Sequence, residues 1–191
     1  MIYYISDLHF GHVNILRYDE RPYQTIEEMD REIITKWNKK VTEKDDVYIV
    51  GDLSFRTSNE EILKTLGQLK GKLHMIIGNH DYWANKKNTD RIRERFESID
   101  SLKMISDNGR KVVLCHYPMA EWNGMRKGAY HVYGHIHIVK NEAFDFMKTK
   151  FPYAVNACCA INNFTPSTLE ELIENNKAFI KSGPNTSEHI R

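Results

Sequence analysis

Five short apolar runs in this chain, each with strand character, stop at a polar cluster made of Asp, Asn or His. The run 2–6 leads into Asp7-Leu8-His9, and the run 47–50 into Gly51-Asp52. The run 73–77 leads into Gly78-Asn79-His80-Asp81, 111–115 into His116, and 129–133 into Gly134-His135-Ile136-His137. Few folds accept this pattern. The strands must deliver their carboxyl ends to a common edge, which in open α/β sheets is where ligands bind. Residues far apart in sequence are therefore expected to meet in one cleft.

The stretches between these runs support that reading. Residues 26–41 place Ile26, Met29, Ile33, Ile34, Trp37 and Val41 on one helical face, and Thr25-x-x-Glu28 offers a capping box. Residues 60–69 repeat the pattern with Ile62, Leu63, Leu66 and Leu69 behind Ser58-x-x-Glu61. A short helix is expected at 91–96. Beyond it the pattern turns to strands: 103–106 and 111–115 flank Asp107-Asn108-Gly109-Arg110, a hairpin signal. Further strands are expected at 129–133 and 153–157, and a last helix at 169–180. A βαβαβα half followed by a mostly β half predicts an α/β protein with mixed sheets in the middle and helices outside. One domain over 1–181 with a polar tail at 182–191, which contains His189, fits the 191 residues.

Each cluster taken singly has a plain alternative. Gly-Asp after a strand is usually a turn, and a lone His116 is usually a hydrogen-bonded core histidine. Gly-Asn-His-Asp arises by chance in a chain of this length in roughly one case in a thousand or fewer. His135 and His137, two positions apart, point to opposite sides of a regular strand. They serve one site only where the backbone turns, or where each binds its own metal. Imidazoles, carboxylates and an amide without thiolates suit Mn, Fe or Zn in a reactive site rather than a structural zinc site. Two such ions roughly 3.5–4 Å apart can activate water and clamp phosphoryl oxygens.

Asp7-Leu8-His9, Gly51-Asp52, Gly78-Asn79-His80-Asp81, His116 and Gly134-His135-Ile136-His137, in this order, resemble the motifs of the calcineurin-like metallophosphoesterase superfamily. The opening Asp7-Leu8-His9-Phe10-Gly11-His12-Val13-Asn14-Ile15 further resembles a branch of small single-domain bacterial and phage phosphoesterases, as do Asn156 and the stretch from Phe164 to Glu170. The resemblance implies a four-layer αββα sandwich of two mixed sheets flanked by helices. It implies that Asp7, His9 and His137 hold one divalent metal ion, that Asn79, His116 and His135 hold a second, and that Asp52 bridges them. Manganese is the expected ion, with iron and zinc as alternatives. His80 would be the general acid or transition-state stabiliser, with Asp81 orienting it, and a hydroxide activated between the metals would attack phosphorus. The chain departs from the serine/threonine protein phosphatases: it has Gly51-Asp52-Leu53-Ser54-Phe55-Arg56 where they carry Asp-Arg-Gly after the second motif, and the third motif ends in Asp81 rather than Glu.

Substrate contacts are expected beside the motifs. His12 and Asn14 follow the first pair, with the capping of a local turn as the alternative; Tyr117, Trp122 and Arg126 lie between His116 and His135, where an aromatic ring and an Arg suit a base and an oxyanion, with hydrophobic cover as the alternative for Trp122. Phe55, Arg56, Tyr82 and Trp83 are further rim candidates, while His74 and His131 read as structural. The formal net charge of +1 argues against a surface built to coat nucleic acid or anionic membrane. Cys115, Cys158 and Cys159 show no disulfide framework and read as reduced thiols of a cytoplasmic protein, the last two serving packing. No signal peptide or membrane span is expected. The leading expectation is a phosphodiesterase on a small nucleotide-like substrate, acting as a monomer or homodimer without a stable nucleic-acid partner. The alternatives are a phosphomonoesterase on a small metabolite and a non-catalytic scaffold.

Overall fold

Alternation builds the first sheet. In β1 (Ile2–Ile5), β2 (Asp46–Val50) and β3 (Lys72–Ile76) the residues Tyr3, Ile5, Val47, Ile49, Leu73 and Met75 face one way, and Tyr4, Tyr48, Val50 and Ile76 the other. The computed structural model describes residues 1–182, so the predicted tail from 183 onward and His189 lie outside the described residues. Its helices are α1 (Ile15–Tyr18), α2 (Ile26–Lys40), α3 (Asn59–Leu66), α4 (Asp90–Arg93), α5 (Glu142–Lys150) and α6 (Leu169–Lys181). The remaining strands are β4 (Ser98–Asp100), β5 (Leu102–Asp107), β6 (Arg110–Cys115), β7 (Tyr130–Tyr133) and β8 (Ala154–Asn156).

Two four-stranded sheets result, ordered β1-β2-β3-β4 and β5-β6-β7-β8. All pairings between the strands of the first sheet are parallel. The mixed character belongs to the second, where β5 runs antiparallel to β6 while β6, β7 and β8 are parallel. The β5–β6 turn carries Asn108 at φ 48° and Gly109 at φ 78°, the doubly left-handed turn that its Asn-Gly sequence predicts.

The layers follow from the apolar faces. Met29, Ile33 and Trp37 of α2 and Ile62 and Leu66 of α3 cover the outer face of the first sheet. Tyr4, Tyr48, Val50 and Ile76 meet Val112, Leu114, Val132 and Val155 between the sheets, and Leu169 and Leu172 of α6 join that core. The outer face of the second sheet is covered thinly: Val113 and Ala129 pack with Trp122, Met119, Met125 and Phe151, so a loop and the end of α5 serve where a full helical layer would stand. The two sheets are stitched at one edge, where Ser6 N–H donates to the Ala157 carbonyl and Cys159 N–H to the Ser6 carbonyl, both at 2.9 Å.

Helix starts differ from expectation in detail. Thr25 Oγ1 accepts the Glu28 N–H, but the Glu28 carboxylate reaches the N–H of Gln24 rather than that of Thr25. The Ser58 hydroxyl donates to the Glu60 carboxylate and caps no backbone group. The reciprocal box forms instead at Thr168 and Glu171 of α6. Among the described residues no helix is long and apolar enough to cross a membrane.

His131 is structural, as expected, and carries a pH signature. It is fully buried, its Nδ1–H donating to the Val113 carbonyl at 3.1 Å while Nε2 accepts the Met119 N–H at 3.1 Å. Burial pushes its pKa down to about 4. The unfolded chain takes up a proton near 6.5 and the fold does not, so this contribution to stability is complete above pH 6.5 and is lost as pH falls toward 4. It should decline by about 2 kcal/mol between pH 7 and pH 5. Urea denaturation at the two pH values should show a smaller decline for His131→Gln than for the native chain.

Candidate metal centre

Because β1, β2 and β3 are parallel, as are β6 and β7, their carboxyl ends lie at one edge, and the five polar clusters meet there. The route into the cluster is a backbone most residues avoid: Asp7 (φ 56°), His9 (53°), Asp52 (57°), His135 (71°) and His137 (49°) are all left-handed. Non-glycine residues adopt this conformation rarely, and such strain concentrates at functional sites. It also explains the Gly-His-Ile-His segment. The chain turns past the end of β7, so His135 faces Asn79 while His137 faces Asp7 and His9.

Two groups of donor atoms form. In the first, ligand atoms of Asp7, His9, Asp52 and His137 all lie within 4.8 Å of one another. His9 Nε2 stands 3.3 Å from His137 Nε2 and 3.5 Å from Asp52 Oδ2, and His137 Nε2 is 3.5 Å from Asp7 Oδ1. In the second, Asn79 Oδ1 is 3.0 Å from His116 Nε2 and 2.9 Å from His135 Nδ1. His116 Nε2 lies 3.5 Å from Asp52 Oδ2, so one carboxylate oxygen faces both groups.

The donor set fits divalent cations. His116 Nδ1–H donates to the Val50 carbonyl at 2.9 Å and His137 Nδ1–H to Asp19 at 2.8 Å, which turns both Nε2 lone pairs inward. Inward lone pairs and carboxylate oxygens at these separations repel unless positive charge lies among them. The titration of the cluster expresses the same field. Burial opposes charge on His116 and His137, yet Asp52 and Asp7 beside the first, and Asp7 and Asp19 beside the second, push each up to about 9. Burial raises and His116 lowers the Asp52 carboxyl, with a net fall to about 2. Burial holds the His9 imidazole well below its ordinary range.

The glycines of the motifs make room. A Cβ on Gly51, at φ +89°, would stand 2.1 Å from His116 Nδ1, and one on Gly134 would stand 2.6 Å from Asp7 Oδ2. Gly51→Ala should therefore destabilise the fold by at least ~2 kcal/mol, since the His116 ring must move as well as the backbone strain. Gly109→Ala, with the same strain and nothing within 4 Å, should lose only ~1–2 kcal/mol. Chemical denaturation of the two variants provides the comparison.

Other predicted residues divide. His80 N–H donates to Asp52 Oδ1 at 2.9 Å, and its half-exposed ring places Nδ1 3.2 Å from Tyr82 Oη. His12 stacks on Phe55 at 3.9 Å, and Phe55 lies 4.8 Å from the His80 ring. Tyr117, 46% exposed, rests its ring 4.6 Å from His135. Asn14 is exposed at the head of α1.

Asp81 does not orient the His80 imidazole as expected. Its buried carboxylate accepts the N–H groups of Gly78, Asp52 and Leu53 at 2.7–3.0 Å and so braces the two loops that carry Asp52 and Asn79. Trp122 is not a substrate platform either. It is buried, donates Nε1–H to the Ala129 carbonyl, and packs on His131 and Phe151. Arg126 stands with it beside Lys111 and Glu121 in a separate outer cleft. Arg56 is ion-paired with Asp30 and Glu61, and Trp83 is buried against Phe96. Cys158 and Cys159 are fully buried as packing requires, and Cys159 Sγ also donates to the Asp7 carbonyl at 3.2 Å.

Asp19 and Arg21 touch the centre although nothing in the sequence pattern marks them. An Asp-x-Arg in a loop has neither the periodicity nor the strand-end position that marks the candidate ligands. Burial pushes the Asp19 carboxyl up, but the bonds from His137 and Arg21 prevail and hold it at about 2.

The fold and this nitrogen and oxygen cluster define a metal-binding α/β protein. Residues 1–157 match the family model of the calcineurin-like phosphoesterase superfamily domain. The protein MJ1445 of Methanocaldococcus jannaschii is 31% identical over 174 residues, covering 91% of this chain and 89% of its own. The gene 66 protein of Mycobacterium phage D29 is 24% identical over 166 residues, covering 71% of this chain and 78% of its own. Among solved structures, the Aquifex aeolicus protein AQ665 superposes with a TM-score of 0.67 at 23% identity, covering 91% of this chain and 98% of that one, and so shares the fold. The chain belongs to the calcineurin-like phosphoesterase superfamily. It is a metal-dependent hydrolase of phosphate esters.

Proposed function

We propose that this chain is a phosphodiesterase that hydrolyses a small nucleotide-like diester with two divalent cations, manganese foremost. The observation that carries the reading is the shared carboxylate: Asp52 Oδ2 lies 3.5 Å from a histidine of each donor group. Asp7, His9 and His137 would hold one ion and Asn79, His116 and His135 the other, with Asp52 between them. Two such cations neutralise phosphoryl oxygens and lower the pKa of bound water.

The chain's own residues supply the rest. The His80 N–H bond to Asp52 fixes the His80 backbone against the centre, and Tyr82 Oη occupies the Nδ1 side of the ring. Nε2 is thereby left to deliver a proton to the departing oxygen, a role worth typically 10²–10⁴-fold. Aromatic rings border both donor groups, His12, Phe55 and Tyr82 near His9 and His80, and Tyr117 over His116 and His135. A diester extends a group to each side of its phosphorus, and this double border suits it better than a monoester. Manganese-loaded protein should hydrolyse bis-p-nitrophenyl phosphate faster than p-nitrophenyl phosphate and accept cyclic or dinucleotide phosphates in a substrate panel. Faster turnover of the monoester, or of phosphorylated metabolites without a base, would make the chain a phosphomonoesterase.

A further inference from the structure

A buried ion pair outside the ligand motifs supports one half of the centre. Glu20 takes a left-handed φ of 49°, and the Arg21 N–H returns to the Leu16 carbonyl at 2.8 Å, closing the end of α1. This reversal points Asp19 and Arg21 inward together, each only 4% exposed. Arg21 Nη1 donates to the Leu8 carbonyl at 2.9 Å and Nη2 to the Asp7 carbonyl at 2.7 Å, in the turn where Asp7 and His9 are left-handed. Nε and Nη2 also donate to Asp19 Oδ2, at 3.1 and 2.8 Å. The same oxygen accepts Nδ1–H of His137 at 2.8 Å.

We propose, resting on the two-cation reading above, that Asp19 and Arg21 are positioning residues of the centre. Arg21 clamps the turn that carries Asp7 and His9, and Asp19 aims His137 Nε2 at them. An imidazole can present either nitrogen, and an acceptor on the Nδ1 side selects the form whose Nε2 lone pair is available to a cation. The planar fork of Arg reaches its acceptors from three separate nitrogens at fixed angles, whereas the donors of Lys all radiate from one nitrogen. A buried ion pair is weak evidence for stability in itself; what this one contributes is direction, imposed on one of the two donor groups and not on the other.

The test is Mn²⁺ titration of the full chain by calorimetry, with electron paramagnetic resonance of the bound ions. The native chain is expected to bind two ions and to give an exchange-coupled spectrum. Asp19→Ala should weaken one site by ~10–100-fold and leave an isolated-ion spectrum when only the other is filled. Asp19→Asn keeps an acceptor oxygen and should recover most of that loss, retaining a several-fold weakening at the same site. Native affinities in both variants, or equal weakening of both sites, overturn the assignment. Failure of the native chain to bind two ions would instead overturn the two-cation reading. Thermal unfolding of the metal-free variants monitors the fold, and if Asp19→Ala does not fold, the effect of Asp19→Asn on that one site decides.

Discussion

Asp52→Asn is expected to lose both cations at concentrations that saturate the native chain, with affinity falling more than ~100-fold, beyond the ~10–100-fold typical of removing an outer partner. The amide cannot satisfy its surroundings in either orientation. Asp52 Oδ1 accepts the His80 N–H, while Oδ2 faces His9 and His116. With the amide oxygen toward the histidines, the NH₂ group opposes the His80 N–H; with the amide reversed, NH₂ points where a cation would sit. The shared negative charge is gone in both cases. Asp52 is almost fully buried and its neighbours hold its carboxyl at about 2, so the amide also lowers the stability of the metal-free chain, and metal binding has to be read against the variant's own metal-free state. The expected signature is a melting temperature that no longer rises when Mn²⁺ is added, whatever its metal-free value. Stoichiometry by elemental analysis checks it; two retained ions would remove Asp52 from the shared position.

His80→Ala should behave oppositely. Residue 80 hydrogen-bonds the candidate ligand set through its backbone N–H on Asp52, which alanine keeps, while its ring meets that of His9 only edge-on at 5.5 Å. Both ions should bind with little change while turnover falls ~10²–10⁴-fold on substrates whose leaving group is a poor one. The loss should shrink toward unity for p-nitrophenyl esters, whose leaving oxygen departs without a proton. A plot of rate against leaving-group pKa should therefore steepen in the variant. An unchanged slope, or normal turnover of a nucleotide diester, would rule out proton delivery by His80.

The strands and principal helices were legible because their apolar periodicity is strong, and the ligand candidates because each follows a strand. The same logic could not reach residues whose importance depends on direction. Asp81 sits within the Gly-Asn-His-Asp motif, yet its carboxylate is spent on three backbone N–H groups, and nothing in a sequence says which way an aspartate turns. Trp122 looks like a stacking platform until the thin cover of the second sheet shows why a large ring is needed beneath that loop. The α5 helix leaves no periodic signal in the sequence, because only Phe144 and Met147 face inward, too few to give a period. β4 is three residues long and exists through its pairing with β3.

The left-handed candidate ligands limit what this centre can become. Asp, Asn and His are the side chains, glycine apart, that tolerate this backbone best, and they are also good oxygen and nitrogen donors for metals of intermediate hardness. At Asp7, His9, Asp52, His135 and His137 the two demands coincide. Retuning the preferred ion by importing a thiolate or a longer carboxylate would thus meet resistance first from the main chain, before any question of coordination arises.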